Sequence, residues 1–320
     1  MDLDAYLAER RGEWNRLETL AARRKLSATE SDELVLLYQR AATHLSVVRS
    51  RTPDPVVLAD LSRLVLAGRA AVTRGNRFSL RPVADFVLYR YPAALYRTRR
   101  WWATLGILMM VLGAALTWYV AVHPDVIALL LSDGEVQQLV GTDFVGYYSE
   151  FQAQNFALQV WTNNALLTAQ CLASGVLILP VLYLVGVNLL NTGLTGGVMF
   201  EQDAGGTFLT YLAPHGCLEL TCLFIGAGVG LRIGWAWISP GPTLSRRESL
   251  VAWVREGMVI AIGLVPTLAV AGILEAFVTP SALPAPVRIA IGVIVWLAFL
   301  AYAIGRGGWA ALETDRNRSR

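Results

Sequence analysis

The strongest constraint on this chain is a series of apolar runs between residues 102 and 305, long enough to cross the roughly 30 Å hydrocarbon core of a bilayer several times. One of them, Pro214–Gly241, differs from a passive anchor. His215 and Glu219 stand near one end and Arg232 near the other, at depths where charge is costly. At about 100° per residue, His215, Glu219, Cys222, Gly226 and Gly230 fall on one narrow stripe, polar at one end and glycine-smooth at the other. Arg232 lies off that stripe, so its counter-charge must come from elsewhere.

Composition agrees with a multi-pass membrane protein: 55% of the 320 residues are hydrophobic, 16% are charged, and the mean hydropathy is +0.47. Of the 27 Lys and Arg residues, 18 lie in residues 1–100, so the first third reads as soluble and the remainder as embedded. The expected fold is an all-α polytopic helical membrane protein, with five or six transmembrane helices and an N-terminal cytoplasmic helical bundle. Lys25 is the only lysine, which excludes a P-loop and an intramembrane Schiff base. HExxH and G-x-S-x-G are absent, and Cys171, Cys217 and Cys222 lack zinc-ribbon spacing. The expectation is therefore a non-enzymatic chain with no cofactor, no metal and no nucleic-acid partner.

Residues 1–77 read as a cytoplasmic domain of three helices. Leu3, Leu7, Trp14, Leu17 and Leu20 recur at helical spacing, and Ser27 with Glu30 forms a capping-box pattern before Leu34, Leu37, Ala41 and Leu45. Residues 78–101 mix aromatics with Arg90, Arg97, Arg99 and Arg100, as suits an interfacial elbow helix at the membrane surface. These arginines predict that the N-terminus is cytoplasmic. The transmembrane domain is placed at 102–305, with an external segment at 123–163 and a cytoplasmic tail at 306–320. The external segment carries Asp125, Asp133, Glu135, Asp143 and Glu150, and its aromatics Phe144, Tyr147, Tyr148, Phe151 and Phe156 suggest interfacial helices or a docking surface.

The run from Asn164 to Phe200 is too long for one span. Arg246, Arg247 and Arg255, like Arg306, Arg316, Arg318 and Arg320, should be cytoplasmic, and that parity favours two short crossings here. The break is expected around Val187–Gly193, and six crossings result; five is the alternative. No long apolar run precedes residue 101, so the first span is expected to serve as the insertion signal.

His215 and Glu219, four residues apart, can share a proton or offer two metal ligands; a third would have to come from Glu201, Asp203 or Glu275. A structural alternative has Pro214 starting a helix, His215 capping backbone, and Glu219 paired with Arg232 or Arg255. Glu275, Asn163, Asn164, Asn188 and Asn191 are candidates to join His215 and Glu219 in an outward-opening polar pocket, Asn188 and Asn191 only if their turn re-enters the membrane. Gly226, Gly230 and Gly234 form two successive GxxxG spacings, a close-packing face for a second helix or subunit.

The run PHGCLELTCLFIGAGVGLRIGWAWISPG, followed by Arg246-Arg247 and by AGILEAFVTPS at 271–281, resembles the stage II sporulation protein M family of bacterial integral membrane proteins. Asn163-Asn164 and NLLNTGLTGG fit the same pattern, and the resemblance extends over about residues 78–305. It implies a multi-pass protein of the bacterial inner membrane, acting with peptidoglycan-degrading partners. On this reading the chain is a homodimeric scaffold among membrane lipids. It would have envelope-remodelling enzymes outside and a cytosolic partner inside. The alternative is a permease or lipid-handling transporter using the polar pocket; an intramembrane hydrolase comes last.

Overall fold

The computed structural model describes residues 3–23, 25–51, 53–73, 80–146 and 153–318. Tyr147, Tyr148, Glu150, Phe151 and Arg320 lie outside the described residues. Every regular element among those described is helical, and the chain divides into two compact units, Met1–Leu80 and Arg81–Arg320.

The first unit contains α1 (Leu3–Ala22), α2 (Ala28–Arg51) and α3 (Pro55–Val72). The capping box forms: the Ser27 amide donates to Glu30 Oε2 at 2.8 Å, and the Glu30 amide donates to Ser27 Oγ at 3.2 Å. Asp54 caps α3, where Pro55 occupies the first turn without wasting a backbone donor. Leu17, Leu20, Leu34, Leu37 and Ala41 form the core, and Gly68 brings α3 close to Leu17 and Tyr38. His44 is buried beside them and accepts a hydrogen bond from Trp14 Nε1 at 3.2 Å. Burial holds its pKa below the ordinary histidine value, so the ring that Trp14 addresses is neutral.

The second unit is built from α4 (Arg81–Ala121), α5 (Ala153–Ala173), α6 (Leu179–Glu201), α7 (Gly205–Ile238), α8 (Arg246–Val278) and α9 (Ala285–Thr314). Among the described residues, α4, α6, α7, α8 and α9 are long and apolar enough to cross a membrane. Their outward faces carry apolar side chains such as Ile107, Met258, Ile262 and Ile294, each more than half exposed and suited to lipid contact. α5 is 21 residues long and more polar; it packs between α7 and α8.

Helix α7 touches all five of the others. Every position from Cys222 to Gly230 is buried, the signature of a helix enclosed on all sides. Its glycines explain how neighbours approach on two faces. A Cβ on Gly226, Gly230 or Gly234 would overlap Thr168, the Cys171 carbonyl or the Gly175 carbonyl, all at or just after the C-terminal half of α5. A Cβ on Gly228 would meet the backbone of Trp102 on α4. The expected glycine face exists, and it is filled by α5 of the same chain.

The break in the 164–200 run differs from expectation. It falls at Ser174–Ile178, whereas Val187–Gly193 lies inside α6. Ser174-Gly175 and Pro180 supply the punctuation, and β-branched Ile178 adopts φ 61°, at a cost of about 1–3 kcal/mol. Gly234 lies opposite Ile178, leaving room for its side chain. The Asn/Gly-rich run is instead a packing face: Gly193 seats Leu116, and Gly197 seats Val120.

Helices also occupy the elbow and parts of the segment after α4. Tyr91, Ala93, Ala94 and Leu95 are at most 5% exposed and Pro92 is buried, so this stretch is packed into the bundle. Helical hydrogen bonding continues into the span; Tyr91 packs on Gly263, Pro92 on Gly307 and Arg97 on Glu256, while Trp102 onwards faces α6 and α7. After α4 come short helices at Pro124–Leu130 and Asp133–Gln138. From Ala153 the chain is already α5, where Phe156 packs with Val160 and Ala276.

Gly230→Leu should lower the thermal midpoint of the detergent-purified protein, reflecting a loss of about 1–3 kcal/mol or more from overpacking. Gly186→Ala, at a position with open space, should leave the midpoint unchanged.

Candidate polar site in the membrane domain

Four helices each bring a polar pair at a spacing of four residues: Asn164/Thr168 on α5, Asn188/Thr192 on α6, His215/Glu219 on α7 and Glu275/Thr279 at the end of α8. Pro214 does not start a helix; it lies within α7, which begins at Gly205, and its carbonyl is approached by Gly292 of α9. His215 therefore stands inside a helix and not at its start. Its Nδ1 lies 3.1 Å from Thr279 Oγ1, and that hydroxyl donates to the Leu274 carbonyl at 3.3 Å. When that hydrogen goes to Leu274, Thr279 accepts from Nδ1–H and the tautomer presents a lone pair at Nε2.

Nε2 faces two carboxylates, lying 4.0 Å from Glu219 Oε2 and 3.8 Å from Glu275 Oε1. One atom from each of the three residues lies within 4.8 Å of the others, a spacing at which they can share protons or surround one cation. His215 and Glu275 are each 3% exposed. Glu219 accepts a hydrogen bond at Oε1 from the Asn164 amide; within the chain, among the described residues, it forms no ion pair with Arg232 or Arg255. Glu275 sits in a π turn, Leu274–Val278, where the wider backbone directs Leu274, Glu275 and Ala276 all inward.

Glu219 also borders a cavity of about 140 Å³, where Asn164, Thr168, Asn188 and Thr192 supply polar wall. A larger apolar crevice of about 480 Å³ lies between α4, α6 and α7. Asn188, Thr192, Leu212, Leu220 and Leu223 line both. Asn188 reaches this site from mid-helix, without the re-entrant turn expected for it. Asn163 and Asn191 are exposed on the bundle's outside and do not join, and neither Glu201 nor Asp203 is part of the His215 cluster.

Arg232 has aromatic partners. Its guanidinium lies 3.9 Å from the Trp253 ring centroid and 5.8 Å from that of Trp101, while Nη1 is buried without a hydrogen bond. Of the basic group on α4, Arg97 pairs with Glu256 at 2.9 Å and Arg99 covers the Tyr96 ring, whereas Arg90 and Arg100 are exposed. Thr168, Thr192, Thr279 and Trp253 escaped the sequence reading. The threonines were signalled by their i+4 relation to polar residues; the Trp253 contact had no local signal.

Residues 104–280, more than half of the chain and including every member of this site, match the stage II sporulation protein M family. The chain belongs to that family. It is thus a multi-pass membrane protein of the stage II sporulation protein M type. Residues 4–74 match a separate domain of unknown function, DUF8413. Among curated proteins and among solved structures, nothing matches the chain. In this family member, Trp253→Leu should destabilise the fold by about 1–2 kcal/mol through loss of a partly desolvated cation–π contact. Trp253→Phe, which keeps a ring, should recover much of the loss in thermal denaturation.

Proposed function

We propose that this family member handles an amphiphilic lipid in the bacterial inner membrane. The observation that carries this reading is the shared wall of the two cavities. The crevice is nearly all hydrocarbon and suits an acyl chain, and five of its residues also wall the polar cavity beside Glu219. A headgroup with hydrogen-bond donors fits Asn164, Asn188 and Glu219 while the chain remains between Met109, Phe224 and Leu189. Transport and passive binding both remain within this reading, since each requires the same two-part site.

The scaffold role has separate support in the Met1–Leu80 unit, which is compact by itself and matches its own domain family. On that reading this unit receives a cytosolic partner, and the acidic segment after α4 meets an envelope-remodelling enzyme. A homodimer would use a face other than Gly226–Gly234, which α5 occupies.

Charge supports an orientation. Arg97, Arg99, Arg100, Arg232, Arg246, Arg247, Arg255 and Arg306 gather at one end of the bundle, while Asp125, Asp133, Glu135, Glu201 and Asp203 lie at the other. The positive-inside rule makes the arginine end cytoplasmic. In a variant with Cys171, Cys217 and Cys222 replaced, Gln202→Cys should react with an impermeant maleimide in intact cells, and Ser239→Cys only after permeabilisation. The reverse pattern would invert the orientation.

For the lipid reading, native mass spectrometry of the purified protein should retain a phospholipid-sized adduct. Ala114→Phe, which fills the crevice away from the polar cavity, should reduce its occupancy by roughly tenfold, as expected for losing one to two kcal/mol of apolar contact. Absence of any adduct, or equal retention by the filled variant, would defeat the reading.

A further inference from the structure

We infer that His215, Glu219 and Glu275 bind one divalent transition-metal ion of the zinc or manganese class within the membrane domain. The inference does not depend on what occupies the crevice. It starts from the convergence of three ligand-bearing side chains, one atom of each lying within 4.8 Å of the others. Nδ1 of His215 lies 3.1 Å from Thr279 Oγ1, and in the tautomer that gives Thr279 the Nδ1–H, Nε2 is an acceptor. That acceptor faces one oxygen of Glu219 and one of Glu275, both acceptors when ionised. In that tautomer three acceptors converge, the two carboxylate oxygens standing 4.0 and 3.8 Å from Nε2, too far for hydrogen bonds.

The remaining capacity of the site points the same way. Glu275 is 3% exposed, and its Oε2 is buried with no hydrogen-bond partner. Leaving a buried carboxylate oxygen unsatisfied is expensive, and a coordinated cation removes the cost. Among the described residues, no Lys or Arg forms an ion pair with Glu219 or Glu275. Arg288, at the same end of the bundle, donates to the Thr279 carbonyl and lies over the Tyr211 ring.

The geometry is close to what an ion requires. Ligands about 2.1 Å from a tetrahedral ion stand roughly 3.4 Å apart; Nε2 stands 4.0 and 3.8 Å from the two carboxylate oxygens and all three atoms lie within 4.8 Å of one another, so side-chain contraction of about half an ångström to about 1.4 Å would complete the three-ligand set. One imidazole and two carboxylates form a borderline donor set that suits zinc or manganese. The outer shell is in place as well: Thr279 fixes the imidazole, and Asn164 holds the second oxygen of Glu219. The cavity of about 140 Å³ beside Glu219 has room for water at an open coordination position.

The test uses the intact protein, purified through a tag that carries no metal, incubated with zinc or manganese and then desalted. Elemental analysis should find about one ion per chain, the stoichiometry of a single three-ligand site. His215→Ala and Glu275→Gln should each bind at least ~10-fold less tightly while eluting as monodisperse protein. A readout on the unaltered chain covers variants that fail to fold: a chelator should lower its thermal midpoint, and zinc or manganese, but not magnesium, should restore it. The inference is overturned if the unaltered chain keeps less than about a tenth of an ion and its midpoint ignores chelator and metal alike. Full occupancy in a folded His215→Ala variant would overturn it equally.

Discussion

A histidine and a glutamate can be carried through apolar surroundings only where other protein groups receive them, and this requirement places α7 at the centre of the bundle. Lipid offers neither hydrogen bonds nor counter-charge. Nine successive buried positions, Cys222–Gly230, show how completely the helix is enclosed. Such enclosure is possible because glycine recurs on opposite faces, letting α5 approach at Gly226, Gly230 and Gly234 and α4 at Gly228. Close packing is the means by which the polar end is kept from lipid.

The rest of the membrane domain follows from the same requirement. α5 is too polar to meet the hydropathy of its neighbours, yet it fills the glycine face and delivers Asn164 to Glu219. The π turn of α8 sends Glu275 inward, and Thr279 at its end orients His215. Strain at Ile178 is tolerated because the hairpin it closes brings the Gly175 backbone against Gly230 and Gly234. Arg232 uses a different solution, since indole faces neutralise a cation without introducing a second buried charge.

Two neighbouring spaces then give the domain its chemical character. Hydrocarbon lines the larger and amides and hydroxyls the smaller, with Asn188 and Thr192 belonging to both. Glu219 borders the smaller space and belongs as well to the cluster with His215 and Glu275.

By itself the sequence determined the all-α membrane class, the separate N-terminal helices, the glycine face and the His215/Glu219 pair, because apolar run length and i, i+4 spacing are local properties written along the chain. Only tertiary structure decided which asparagines matter. Asn163 and Asn164 are neighbours in sequence, but a step of 100° sends one outward and the other to Glu219. Likewise the NLLNTGLTGG run looked like a turn because Asn and Gly usually interrupt helices; here Leu116 and Val120 of α4 fill the spaces its glycines leave. The partner of Arg232 and the inward turn of Glu275 depend on helices distant in sequence meeting at one depth. Periodicity reports which face a residue occupies, whereas the neighbour on that face is chosen by packing.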